Sequence, residues 1–203
     1  MRHGITKSNK EKRYVGWGDV ELSSLGIEQA ERVAERFSSL PLKGLYSSDL
    51  LRTVKTAEPI GREHGISPVR TPLLREINFG KWEGLTHSEI ARYFEEEQRN
   101  WIKDPFHRAP VEGETLIEVC QRMKRFLREI SSQENDGAVV VVTHGGAIRS
   151  ILHHYLNLKP QQLWDLKVDN ASVSLMRKKE DAFKVVCVNS MEHLESLGED
   201  ETA

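Results

Sequence analysis

The 203-residue chain is 38% hydrophobic and 30% charged, which excludes a disordered polymer and allows one domain, or a domain with a small cap. Its formal net charge of -2 excludes a broad basic field of the kind that holds a nucleic-acid backbone, so any anion must be met by a few local cations. Two cysteines, Cys120 and Cys187, are too few for a disulfide framework; with no signal segment and no apolar run of membrane-spanning length, the expectation is a cytoplasmic protein with reduced thiols.

The chain opens on Arg2-His3-Gly4, ahead of any run that reads as an element. Behind Ser23 and Ser24, either able to cap a helix, Ile27, Ala30, Ala34 and Phe37 recur at helical spacing. The stretch GLYSSDLLRTVKTAEPI predicts a short strand near Leu45 and Tyr46, then a helix from about Asp49 with Leu50, Val54 and Ala57 inward. SPVRTPLL reads as a further short strand. Two segments carry the hydroxyl and carboxylate of a capping box, Thr86 with Glu89 and Thr115 with Glu118. The first leads into a stripe of Ile90, Phe94 and Trp101, the second into Leu116, Val119, Met123, Phe126 and Ile130. GAVVVV is apolar throughout, as a strand covered on both faces is. It runs through Thr143 into GGAIRSILHHYLNL, a helix with Ile148, Ile151, Leu152 and Tyr155 inward that stops before Pro160. ASVSLMRK and AFKVVCVN alternate as a closing hairpin does, and the acidic tail 191–203 is expected to fray. Strands alternating with helices predict a single α/β layered domain over residues 1–190.

Sites in such sheets form beyond the carboxyl ends of strands, and His144 stands at one such end. The amides of Gly145 and Gly146 open a helix and suit an anion. A histidine beside them can be a proton donor, a hydrogen-bond donor or a nucleophile, or simply a ring packed at a strand end. Arg2, His3 and Gly4 repeat the pairing, with Arg2 offering a planar fork to phosphate oxygens. His153 and His154 are adjacent and share no helix face, and no spacing of ligand side chains reads as a metal site, so neither metal nor cofactor is expected.

Taken in order, Arg2-His3-Gly4, Thr6, Asn9, RYVGWGD, SSDLLRTVKTA, LLREINFGKWEG, EGET and VTHGGAIR resemble the histidine phosphatase superfamily across most of the chain. That group includes the cofactor-dependent phosphoglycerate mutases and many small bacterial phosphatases. The resemblance implies a three-layer α/β/α fold with a mostly parallel central sheet flanked by helices. It implies that His3 takes the phosphoryl group, that Arg2, Arg52 and His144 complete the phosphate pocket with Gly145 beside them, that Glu76 donates the proton, and that Asn9 is an auxiliary phosphate or substrate ligand. Taken singly, Arg52 also reads as a surface arginine, Glu76 as an ion pair with Arg75, and Asn9 as a loop turn. The implied chemistry is consistent. A phosphate monoester is a dianion that repels anionic attackers, so a neutral imidazole is a suitable nucleophile. A carboxylic acid at Glu76 protonates the departing alkoxide and, as carboxylate, then deprotonates the water that attacks the phosphohistidine.

REINFGKWEGLTHSEI resembles the phosphatase subgroup, including the α-ribazole phosphatases and the broad-specificity phosphatases. The implied partner is a small phosphorylated metabolite, with no nucleic acid and no membrane, and with a homodimer as one expected state. A phosphoglycerate-mutase-type phosphotransferase and an inactive homologue acting as a binding protein are the alternatives; the intact set of Arg2, His3, Arg52, Glu76 and His144 argues against the second. Residues 79–114 are expected to form a helical lid or insertion that walls or covers the pocket, with Phe106, His107 and Arg108 as candidate substrate contacts and Phe94 and Trp101 as core. Ile5 stands where the family often has Glu or Gln, and EGET where it often has GGES. The family also carries an apolar strand, about five residues long, ahead of the Arg-His-Gly motif, with the nucleophile at its carboxyl end. The expectation is therefore a natural chain extended upstream of Met1, and a poorly soluble or inactive protein without that strand.

Overall fold

The computed structural model describes residues 1–131, 137–179 and 182–197. Three parallel strands form its sheet in the order β2–β1–β3, with β1 (Leu42–Ser47) central between β2 (Val69–Arg70) and β3 (Ala138–Val142). Leu45 lies opposite Val140 and Ser47 opposite Val142. Parallel neighbours need long crossovers, and helices supply them. The helix α3 (Leu51–His64) joins β1 to β2, and α4 (His87–Tyr93), α5 (Glu95–Lys103) and α6 (Leu116–Ser131) lie between β2 and β3. Before the sheet come α1 (Lys7–Lys10) and α2 (Ser24–Phe37); after it come α7 (Gly145–Tyr155) and the antiparallel hairpin β4 (Val173–Lys179) and β5 (Ala182–Ser190).

Because successive strand residues point to opposite faces, the sheet has two cores. Leu45, Val140 and Val142 pack with Val33 and Ala34 of α2 and Ala57 and Ile60 of α3. Tyr46 and Val141 face the other way, toward Val119, Met123 and Phe126 of α6, Ala147 and Ile151 of α7, and Trp82, Ile90 and Trp101. Helices on both faces of a parallel sheet make the three-layer α/β/α fold. No helix among the described residues is long and apolar enough to cross a membrane.

Several local expectations are revised. In α2 the cap is Ser23, whose side chain accepts from the Gly26 amide. The inward stripe is Leu25, Ala30, Val33 and Ala34, while Ile27 is 56% exposed. The turn of the stripe follows from Gly26: a side chain there would collide with the Ile5 backbone, and a side chain at Gly4 would collide with the Gly26 carbonyl. Two facing glycines thus let the first loop lie directly on α2. The run Ile90, Phe94, Trp101 is not one helix. Phe94, at φ -139° and ψ 44°, breaks it into α4 and α5, and Glu95, Glu96 and Glu97 restart the helix at its positive end. The strand expected in SPVRTPLL shrinks to Val69–Arg70, because Thr71 caps a 3-10 turn at Pro72–Leu74. Both capping boxes form, with Glu89 and Glu118 each accepting from the Thr amide three residues earlier. Of the acidic tail, Glu192–Leu197 make a 3-10 turn with Leu194 buried on the α2 side, while 198–203 fall outside the described residues.

Met1, Arg2 and His3 lie along the carboxyl end of β3. The Met1 nitrogen donates to the Val141 carbonyl (2.7 Å), the Thr143 amide to Met1 (2.9 Å) and the His3 amide to Thr143 (3.0 Å). On their other side the Arg2 amide donates to Ser172 (3.1 Å) and the Ala171 amide to the His3 carbonyl (3.0 Å), so these residues stand between β3 and the start of β4. Further along the same two strands runs a cleft of about 1210 Å³, lined by Met1, Val139, Val141, Ile151, Met176 and Phe183.

Candidate active site

Two chain segments deliver histidines to one place. His144 follows β3 directly and is the N-cap of α7; Thr143 before it is buried and donates to the Leu74 carbonyl (2.6 Å). His3 arrives on the first segment, and the two rings meet edge to face with centroids 5.2 Å apart. Nδ1 of His3 lies 2.7 Å from the Gly4 carbonyl. A carbonyl only accepts, so that nitrogen carries the proton and Nε2 is left as the basic one. His144 is wholly buried and neither of its ring nitrogens has a hydrogen-bond partner among the described residues. Burial pushes both rings well below the usual histidine range, with the Arg52 charge next in importance, so both are neutral at pH 7.

The cations come from opposite sides. Arg52, on α3, is buried, and its terminal nitrogens donate to the carbonyls of Gly18 (2.9 Å) and Gly16 (2.7 Å). That loop is itself held, because Glu83 accepts from the amides of Trp17 (2.8 Å) and Gly18 (2.9 Å). Arg2 spends Nη1 on the Val168 carbonyl (2.7 Å), while its Nε is buried without a partner among the described residues. Burial, reinforced by Arg149 and Arg52, pulls the Arg2 pKa down to about 10 against the opposing pull of Glu76 and Asp169. A buried guanidinium N–H with nothing to bond is costly unless an anion comes to it.

Glu76 departs from the expected arrangement. The amides at the start of α7 were expected to face a bound anion. Instead they face Glu76: Gly146 donates to Oε2 (3.0 Å), and Ala147 (3.2 Å) and Ile77 (2.9 Å) donate to Oε1. A side chain at Gly146 would run into that carboxylate. The Glu76 carbonyl is gripped in turn by Trp17 Nε1 (3.0 Å) and by Arg122 (2.8 Å), which also binds the Leu73 carbonyl (3.0 Å). Gly145 stays on the wall of a 210 Å³ pocket with Arg2, Glu76 and Arg149, closed on its other sides by Tyr14, Phe79, Trp101 and Trp164. His3, Arg52 and His144 are buried next to this pocket and do not line it.

Asn9 closes the first loop. Its Oδ1 accepts from the Thr6 amide (3.1 Å), the Thr6 hydroxyl (3.0 Å) and Asn170 Nδ2 (3.1 Å), and Asn170 also donates to the His3 carbonyl (3.2 Å). The Gly4 amide is taken by Thr56 Oγ1 (3.0 Å). Phe106, His107 and Arg108 are off the pocket wall: Phe106 stacks on His153 (4.5 Å) and His107 binds Asp104 (2.9 Å). Trp101, expected as core, is both buried and on the wall. The 79–114 segment puts Phe79 and Trp101 on the pocket wall and Trp82, Ile90 and Trp101 into the main core. Sequence reasoning missed Arg149, Arg122, Glu83 and Asn170. Arg149 and Glu83 left a trace there, since both lie inside the quoted motifs VTHGGAIR and LLREINFGKWEG, without a role assigned to either.

The family model described as "Histidine phosphatase superfamily (branch 1)" matches residues 1–191. The chain is similar to "Phosphoserine phosphatase 1" of Hydrogenobacter thermophilus, at 31% identity over 96% of this chain and 92% of that one. It is similar to "Phosphoglycerate mutase-like protein 4" of Arabidopsis thaliana, at 34% identity over 98% of this chain and 86% of the other. Among solved structures, a mycobacterial glucosyl-3-phosphoglycerate phosphatase in complex with VO3 superposes with a TM-score of 0.85 at 31% identity, covering 93% of this chain and 96% of that one.

Proposed function

The chain belongs to the histidine phosphatase superfamily, and from that membership we propose that it is a metal-independent phosphomonoesterase acting on small phosphorylated metabolites through a phosphohistidine at His3. The observation that carries the reading is the state of His3: a buried, neutral ring with Nδ1 tied to Gly4 and Nε2 left basic, beside two guanidinium groups and a second neutral imidazole. Nε2 attacks phosphorus as the bond to the ester oxygen breaks. Arg2, Arg52 and His144 oppose the charge on the non-bridging oxygens; preorganised donors of this kind are worth about 3 kcal/mol each. His144 and the Arg2 Nε are buried polar groups without partners among the described residues, which an incoming phosphoryl group satisfies. Glu76 gives the departing alkoxide a proton carried on Oε2, the oxygen that accepts from the Gly146 amide alone, while Oε1 accepts from the amides of Ile77 and Ala147. As carboxylate it then takes a proton from water, which attacks the phosphohistidine and releases inorganic phosphate. Asn9 acts on the loop that bears His3 through its Oδ1, and its amide nitrogen, which takes no acceptor among the described residues, is available to substrate.

The names of the relatives span phosphoserine and glucosyl-3-phosphoglycerate phosphatases, and α-ribazole 5′-phosphate is the further candidate. The mutase-like relative favours a second reading, transfer of the phosphoryl group back to another hydroxyl. Rapid quenching with a phosphorus-labelled ester is the test. Acid-labile, base-stable label on His3, with release of inorganic phosphate from 3-phosphoglycerate, is the expected result. Accumulation of the 2-isomer in place of phosphate would establish the transferase, and label on serine or aspartate would end both readings.

A further inference from the structure

Arg149 is the cation that the reaction above does not use. It sits on α7, half-buried, and lines the 210 Å³ pocket beside Glu76 and Gly145. Nε donates to the Leu166 carbonyl (3.0 Å), which fixes the plane of the guanidinium. Among the described residues neither terminal nitrogen has a hydrogen-bond partner, and Glu76 and Asp169 act on the group only as charges, without a hydrogen bond to it. Burial lowers its pKa, against a raising pull from Glu76 and Asp169 that comes from beyond contact distance. Holding an unpaired guanidinium close to Arg2 costs free energy through desolvation and like-charge repulsion.

The position is specific. Nη1 of Arg149 lies 3.3 Å from the point where a side chain on Gly145 would begin, and Nε of Arg2 lies 3.5 Å from the same point. Two guanidinium groups therefore bracket one glycine: among the described residues the buried Nε of Arg2 has no partner, and half-buried Arg149 bonds only through its Nε. Arg2 belongs to the phosphoryl group under the function proposed above, on which this inference rests. An anion on Arg149 would then sit only a few bonds from the phosphorus, on the leaving-alcohol side where Glu76 delivers its proton. A guanidinium held through Nε offers its two terminal nitrogens as a fork, the match for the two oxygens of a carboxylate. Around that fork the wall is apolar and aromatic, so a single compact anion fits and a second strongly hydrated dianion does not.

From this geometry we infer that Arg149 is a specificity-determining residue that binds a carboxylate on the alcohol part of the substrate, so that the enzyme's substrates are phosphate esters of small hydroxy acids. The matched pair 3-phosphoglycerate and glycerol 3-phosphate tests it, because the two differ by a carboxylate against a hydroxymethyl group. Wild-type kcat/KM should favour 3-phosphoglycerate by about 10-fold or more, and Arg149→Met should lower that preference about 10- to 100-fold, as loss of a charge-assisted fork does. Arg149→Lys keeps the charge without the fork and should retain only part of the preference. Because the readout is a ratio between two esters on one sample, a partly unfolded variant does not distort it. Equal losses on both esters would make Arg149 an arm of the phosphate pocket and overturn the inference, as would a wild-type enzyme without preference. p-Nitrophenyl phosphate separates the two levels. Its turnover without any carboxylate preference overturns the subsite alone, and no turnover of any ester overturns the phosphatase reading and the subsite with it.

Discussion

His3 and His144 occupy matched places, each followed by glycine at the carboxyl end of a sheet position, yet they are held by different means. His144 is carried by covalent continuity: β3 runs into Thr143, the ring follows, and α7 begins at once. Its own nitrogens need no partner to keep it there. His3 is carried by a short segment whose hold is a set of bonds to distant residues: Thr143 and Ala171 on its backbone, Thr56 on the next amide, and Asn170 on its carbonyl. Beside that segment runs the cleft between β3 and β4. The difference separates orientation by local structure from orientation by tertiary hydrogen bonds, and each makes its residue vulnerable in its own way.

The largest effect should come from the rings themselves. If His3 forms the covalent intermediate, His3→Ala should lower kcat by at least about 10⁴-fold, since loss of a nucleophile disables the unit around it. His144→Ala should cost about 10²- to 10³-fold, the loss of one preorganised donor. Steady-state kinetics with p-nitrophenyl phosphate decides it, and equal losses would erase the assigned division of labour. Glu76, held by the same helix start that carries His144, sharpens the contrast through the leaving group. Glu76→Gln should slow alkyl phosphates about 10²- to 10⁴-fold, the usual worth of a general acid, and nitrophenyl phosphate much less. A uniform loss on both would take Glu76 out of proton transfer.

A smaller effect should expose the tertiary support of His3. Thr56→Val removes the acceptor for the buried Gly4 amide and the hydroxyl that donates to the Arg52 carbonyl. An unsatisfied buried amide costs about 1–3 kcal/mol, visible in denaturant midpoints, and kcat should fall with it because His3 loses its anchor. Thr143→Val, on the His144 side, should lower stability through the Leu74 carbonyl with less effect on the phosphorylation rate.

The smallest effect is shared by both rings. Each is a histidine whose folded pKa lies well below its unfolded value near 6.5. The unfolded chain therefore takes up the protons first, so stability is complete above pH 6.5 and is lost as pH falls below it. Each such ring adds a slope of about 1.4 kcal/mol per pH unit. Unfolding curves at pH 5 and pH 6 for the single alanine variants should each show a shallower pH dependence than wild type. An unchanged slope for one ring would mean that it is charged, or solvated, in the folded state.

What the sequence determined by itself were features whose physics closes within a few residues. The capping boxes at Thr86 and Thr115, the stripe of α6, the apolar run of β3 and its exit into Gly145 all depend on neighbours three or four positions away, and all were legible. The residues Arg2, His3, Arg52, Glu76 and His144 were legible too, as a set of motifs in order. Tertiary structure alone decided what those residues touch. Glu76 meets the Gly146 amide across 70 positions and so fills the helix start that local reading reserved for an outside anion. Thr56 meets Gly4 across 52 positions. Asn9 turns its oxygen to Thr6 and Asn170, and Ile27 turns outward because Gly26 must lie on Ile5. Arg149 becomes a partner of Arg2 only because both reach the same glycine. Which amide, carbonyl or guanidinium is already paired depends on chain segments that sheet hydrogen bonding and core burial bring together, and no local pattern carries that record.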